Sequence, residues 1–110
     1  MDVDGGVRLS YKILTELPLE FGKVNGDFDC SNNSLTTLNG SPETVDNFWC
    51  YNNKLTSLDG SPKKVNGLFN CHTNKLTTLY GAPKEVGVTF WCSSNNLTSL
   101  DYLPTIVDAY

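Results

Sequence analysis

The stretches 28–38 (FDCSNNSLTTL), 48–58 (FWCYNNKLTSL), 69–79 (FNCHTNKLTTL) and 90–100 (FWCSSNNLTSL) are four copies of one phrase, and their cysteines, Cys30, Cys50, Cys71 and Cys92, stand 20 or 21 residues apart. Self-similarity at that period marks a solenoid, in which one coil cannot bury its apolar face alone and stacks on copies of itself. Within each phrase Phe and Cys are two residues apart. They therefore point to the same side of an extended segment, and the residue between them points to the other. One short parallel strand per coil follows, with Phe28, Phe48, Phe69, Phe90 and the four cysteines facing inward. The asparagine three residues after each Cys (Asn33, Asn53, Asn74, Asn95) falls where the chain leaves the strand. Its amide can both donate to and accept from turning backbone, so stacked copies would form a ladder. Gly40, Gly60 and Gly81, each followed two residues later by proline, then turn the chain onto the back of the coil too tightly for a long helix.

Extended in both directions, the phrase becomes PxxVxx(x)FxCxxNxLTxLxG. Its valines are Val24, Val45, Val65 and Val86, with Val107 opening a fifth copy, and its paired leucines are Leu35/Leu38, Leu55/Leu58, Leu76/Leu79 and Leu97/Leu100. Over residues 24–107 this resembles the leucine-rich repeat, whose LxxLxLxxNxL signature is met by Val, Phe, Cys, Asn and Leu in turn. The resemblance implies a repeat solenoid with a parallel β-sheet on the concave face and turns or short 3-10 segments on the convex face. Residues 1–23 read as a degenerate N-terminal capping coil: Val7, Leu9, Leu14, Leu17 and Val24 align 21 residues before Phe28, Cys30, Leu35, Leu38 and Val45, with Lys12 where Asn would stand. Four repeats follow at 24–44, 45–64, 65–85 and 86–107, and 108–110 are the start of a fifth strand or the C-terminal end. Three copies carry an extra residue between Val and Phe (VNGDF, VNGLF and VGVTF against VDNF), so a bulge or loop is expected at those entries to the strand. Stacking is compulsory, because burial of four large apolar side chains per coil is outweighed by the entropy of ordering the coil's backbone.

A chain of 110 residues that is 39% hydrophobic and 18% charged is one folded domain. Eight basic against twelve acidic side chains, net −4, disfavour a nucleic-acid partner, which requires a basic stripe. The first ten residues, MDVDGGVRLS, lack a basic n-region and an apolar h-region, and no apolar run is long enough to span a bilayer. No membrane partner and a cytoplasmic location are therefore expected. The thiols would line up about 4.8 Å apart on neighbouring strands, whereas zinc requires a tetrahedron, so they read as a structural core ladder with no metal and no cofactor. His72 is the sole histidine and the outward neighbour of Cys71, so the two side chains diverge and no nucleophile–base pair arises. The chain is expected not to be an enzyme.

What remains is the outward surface of the strands. Flanking each Cys stand Asp29 and Ser31, Trp49 and Tyr51, Asn70 and His72, Trp91 and Ser93; one step further back stand Asp27, Asn47, Leu68 and Thr89. Both tryptophans share one column, two strand spacings or about 10 Å apart. A contiguous exposed aromatic patch marks a contact site. The expected partner-binding residues are Trp49, Tyr51, Asn70, His72, Trp91 and Leu68, with Asp27 and Asp29 making one end of the face acidic. Short repeats of this type are similar to those of bacterial effectors and of small bacteriophage-encoded proteins, where the repeats are recognition modules. This implies a binder or inhibitor of a host protein, acting in the host cytoplasm if phage-encoded. Two alternatives stand beside it: a self-associating structural protein, a homodimer through an open C-terminal strand, and an ice-binding protein using the rows Thr36, Thr56, Thr77, Thr98 and Thr37, Ser57, Thr78, Ser99. The expected use of those hydroxyls is local bonding to turn backbone.

Overall fold

The computed structural model describes residues 1–105, 108 and 109. The chain winds into a β-solenoid of stacked coils of about 21 residues, with no helix among the described residues. The strands are β1 (Val7–Arg8), β2 (Phe28–Asp29), β3 (Thr44–Val45), β4 (Phe48–Trp49), β5 (Lys64–Val65), β6 (Leu68–Asn70), β7 (Glu85–Val86), β8 (Thr89–Trp91) and β9 (Asp108–Ala109). A front sheet runs β1-β2-β4-β6-β8-β9 and a back sheet β3-β5-β7, all parallel. Register follows the repeat: Phe28, Phe48, Phe69 and Phe90 lie opposite one another, as do Val45, Val65 and Val86. Val7 pairs with Phe28, so residues 1–23 form a coil that continues the front sheet.

The back of the coil differs from the expected turns or 3-10 segments. No 3-10 residue occurs among those described, and the valine column instead makes its own parallel ladder, extended by the bridges Val3↔Val24 and Lys23↔Thr44. The stretch from each Phe to the next Val has the same length in every copy, which brings each Val opposite its counterpart, so backbone groups that would otherwise meet water pair with the neighbouring coil. The extra residue in three copies is absorbed as a loop at the corner between the sheets. There Asn66 and Gly67 donate to the carbonyls of Val45 and Asp46, and Leu68 N–H donates to Asn47 Oδ1 at 2.7 Å, so neither sheet loses register. The bridge Glu85↔Thr105 carries the back sheet one coil further. Val107 and Tyr110 lie outside the described residues, while β9 pairs Asp108 with Thr89 and Ala109 with Phe90.

Inside, the phenylalanines form a face-to-face stack, with centroids 5.2, 5.4 and 5.5 Å apart and planes within 12° of parallel. Phe21 closes its N-terminal end edge-on against Phe28 at 5.1 Å. It occupies the column filled elsewhere by Pro42, Pro62 and Pro83, and its ring offsets the smaller Val7 that stands in the Phe column. All four cysteines are free and buried. Burial pushes the thiols of Cys30, Cys50 and Cys71 well above their ordinary value of 9.0, with neighbouring charge adding to the effect.

The asparagine column ties the coils together. Asn53 Nδ2 donates to the carbonyls of Cys30, one coil back, and Cys50, in its own coil, both at 3.1 Å, while its Oδ1 accepts Leu35 N–H at 2.9 Å. Asn74 repeats the pattern with Cys50, Cys71 and Leu55, and Asn95 with Cys71, Cys92 and Leu76. Asn33 reaches the first coil through Leu9 O and the amides of Lys12 and Leu14, so Lys12 needs no amide of its own. Every buried side-chain nitrogen and oxygen among the described residues is satisfied.

The residue before each of these asparagines is left-handed: Asn32 (φ 55), Asn52 (φ 55), Thr73 (φ 56) and Ser94 (φ 57). Asn tolerates that conformation, whereas a β-branched side chain there is strained. Thr73→Asn is therefore expected to raise unfolding free energy by about 1 kcal/mol, measured by urea denaturation. The raised thiols yield a second expectation. A thiol whose folded pKa lies above its unfolded value stabilises the fold fully below pH 9.0 and progressively less above it, as the unfolded chain ionises and the folded one does not. Each buried thiol then contributes a loss of about 1.4 kcal/mol per pH unit. Cys50→Ala should therefore remove a loss of about 1.4 kcal/mol in total between pH 8 and 10, read from urea midpoints across that range.

Candidate functional site

The outward side of the front sheet is built from the residues that alternate with buried Phe and Cys. Arg8, Asp29, Trp49, Asn70 and Trp91 form one column, paired strand to strand. Ser10, Ser31, Tyr51, His72 and Ser93 stand two residues on, and Asp27, Asn47, Leu68 and Thr89 stand on the other side. A rigid sheet thus fixes the spacing of three rows of side chains.

At the centre, Tyr51 and His72 stack with centroids 4.8 Å apart and planes 11° from parallel. His72 in turn contacts Trp91, with centroids 5.7 Å apart and tilted 43°. The faces of Tyr51 and His72 are therefore turned toward one another, from coil to coil. His72 Nδ1 lies 2.7 Å from the Thr73 hydroxyl, and Trp91 Nε1 donates to Ser93 Oγ at 2.6 Å, so both orientations are held by a polar contact as well as by packing. Trp91 is 42% exposed, and Trp49, Tyr51, His72 and Leu68 are half-buried. The structure brings these five together on one face.

Asn70 differs from the expected solvent-facing position. It is 7% exposed, flanked on its column by the two indoles, and its Oδ1 accepts His72 N–H at 3.1 Å. That bond holds the strand exit beneath His72, and the covering indoles leave Asn70 little open surface. Asp29 does the same one end over, where its Oδ1 accepts from Ser31 N–H at 3.0 Å and from the hydroxyl at 2.6 Å. Asp27 Oδ1 accepts from the Asn47 backbone and side-chain amides, both at 3.1 Å, and remains exposed.

Beside the aromatic row lies a groove of about 640 Å³, lined by Asp27, Asp29, Asp46, Trp49, Tyr51 and the first coil's Arg8 and Ser10. Arg8, Ser10 and Asp46 were not among the expected site residues. The 21-residue offset that aligns Val7 with Phe28 also places Arg8 and Ser10 in the columns of Asp29 and Ser31, so the signal lay in the alignment of the degenerate coil. The floor is backbone: a Cβ on Gly26 would meet Gly5 at 2.7 Å, so glycine alone allows the first two coils this approach.

The threonine rows divide. Thr37, Ser57, Thr78 and Ser99 each accept the N–H two residues on, from Asn39, Asp59, Tyr80 and Asp101 at 3.1 to 3.4 Å, closing the turn. Thr36, Thr56, Thr77 and Thr98 stay exposed. Among the described residues no group of three or more His, Cys, Asp and Glu side chains is arranged to hold a metal, and no helix is long and apolar enough to cross a membrane. Compared with protein-family models, with curated proteins and with solved structures, the chain matches none of them.

Proposed function

We propose that this chain is a non-catalytic protein-binding module, built of short repeats of the leucine-rich type and engaging its partner through the outward side of the front sheet. The observation that carries the reading is the row Tyr51, His72 and Trp91, with Trp49 beside it, held partly exposed on a rigid sheet. Aromatic side chains dominate interface energies, and rings already stacked lose little rotamer freedom on binding. Rings stacked face to face, as Tyr51 and His72 are, are suited to interleaving with side chains of another protein, while a sugar-stacking ladder would need their faces turned outward. A host protein targeted by a bacterium or phage is the class of partner that the repeat type suggests.

The test is the double variant Trp49→Ala with Trp91→Ala. It should keep the wild-type circular dichroism and urea midpoint within about 1 kcal/mol, since neither indole is in the core. Partner capture from host lysate, quantified by calorimetry with the captured protein, should weaken by about 2 kcal/mol or more. Undiminished binding by a folded double variant would remove this face as the interface.

A further inference from the structure

The groove beside Trp49 differs in character from the aromatic row. Asp27, Asp29 and Asp46 bring three carboxylates to one opening, against a single guanidinium, Arg8. Each carboxylate is hydrogen-bonded through Oδ1 to uncharged donors: Asn47, Ser31 and the Asn66 side chain at 3.2 Å. Hydrogen bonds of this kind hold the groups in place without neutralising them. Among the described residues the only ion pair, Lys64 Nζ to Glu85 Oε2 at 3.9 Å, lies on the back sheet, so Arg8 forms no salt bridge with the three. Trp49 closes the groove on the aromatic side, and its indole stacks on no other ring among the described residues. A half-buried indole beside unneutralised carboxylates is the chemistry that receives a cation. Among cations it favours a planar one, which can stack on the ring while donating to a carboxylate in a fork.

We infer that this groove takes an arginine side chain of the partner polypeptide, guanidinium against Trp49 and among Asp27, Asp29 and Asp46. The inference rests on the binding-face reading above and adds to it the chemistry of the partner: a basic side chain that enters at the acidic end while the aromatic row meets the neighbouring apolar surface. Arg8, from the chain's own first coil, contributes like charge at the edge of the site. Removing it should therefore strengthen binding, an effect that a merely structural arginine would not produce.

The probe is the capped tripeptide acetyl-Gly-Arg-Gly-amide, titrated at low ionic strength into the full chain labelled with nitrogen-15, with the neutral citrulline peptide of the same shape as control. The Trp49 indole N–H resonance should shift saturably with the arginine peptide and not with citrulline. Asp27→Asn combined with Asp46→Asn keeps an acceptor oxygen at both positions and should weaken binding about fivefold, while Arg8→Gln should tighten it about threefold. Denaturation midpoints of the variants verify that each is folded. Equal shifts by both peptides, no shift by either, or affinity unchanged in the folded Asn variant would overturn the inference. If that happens while the tryptophan double variant still loses its captured partner, the binding face stands and only the assignment of arginine falls.

Discussion

The whole structure depends on an amide at the point where each coil leaves the front sheet. There the backbone turns away from its ladder, and in a dry interior the carbonyl of each Cys and the amide of each following Leu would be left without partners. One asparagine side chain per coil satisfies its own Cys carbonyl, the Cys carbonyl of the coil before, and that coil's Leu amide. An unsatisfied buried group costs about 1 to 3 kcal/mol, so each asparagine both avoids a penalty and fixes the axial and rotational position of one coil on the next. The Phe stack and the Leu columns can then meet at van der Waals distance because their register is already set.

That constraint explains why the solenoid was legible in the sequence. Only Asn carries two donor hydrogens and a separate acceptor oxygen on so short a stem, so its column could not drift, and the Phe, Cys and Leu columns inherited its period. The second sheet was not legible, because strands such as Thr44–Val45 and Lys64–Val65 are too short to carry an alternating pattern and exist only through pairing between coils. Phe21 was hidden in a proline column, and the left-handed turn was announced by Asn32 and Asn52 but masked by Tyr11, Thr73 and Ser94. At the site, alternation correctly set Trp49, Tyr51, His72 and Trp91 on one face. It could not foresee that Asn70, pointing the same way between two indoles, would be covered, since pattern gives direction and not the size of neighbours.

The binding role proposed for the front sheet draws on its rigidity. Inward residues are nearly identical from coil to coil, and the outward ones differ: acidic near the first coils, aromatic through Tyr51, His72 and Trp91. A repeat scaffold with a variable outer surface separates the two demands, because changing an outward side chain leaves the asparagine ladder and the Phe stack untouched. The cysteines, the most conspicuous chemistry in the chain, serve as small apolar fillers and as the marker of which neighbours point outward.

The central claim, that side-chain amides lock one coil to the next, is tested most directly by native-state hydrogen exchange at Leu35, Leu55 and Leu76, whose N–H groups donate to Asn53, Asn74 and Asn95 and to no backbone carbonyl. If the ladder holds the stack, these three amides exchange as slowly as the front-sheet amides of Cys50 and Cys71, with opening energies close to that of global unfolding. Exchange at the rate of the exposed turns, with the sheet amides still protected, would contradict it.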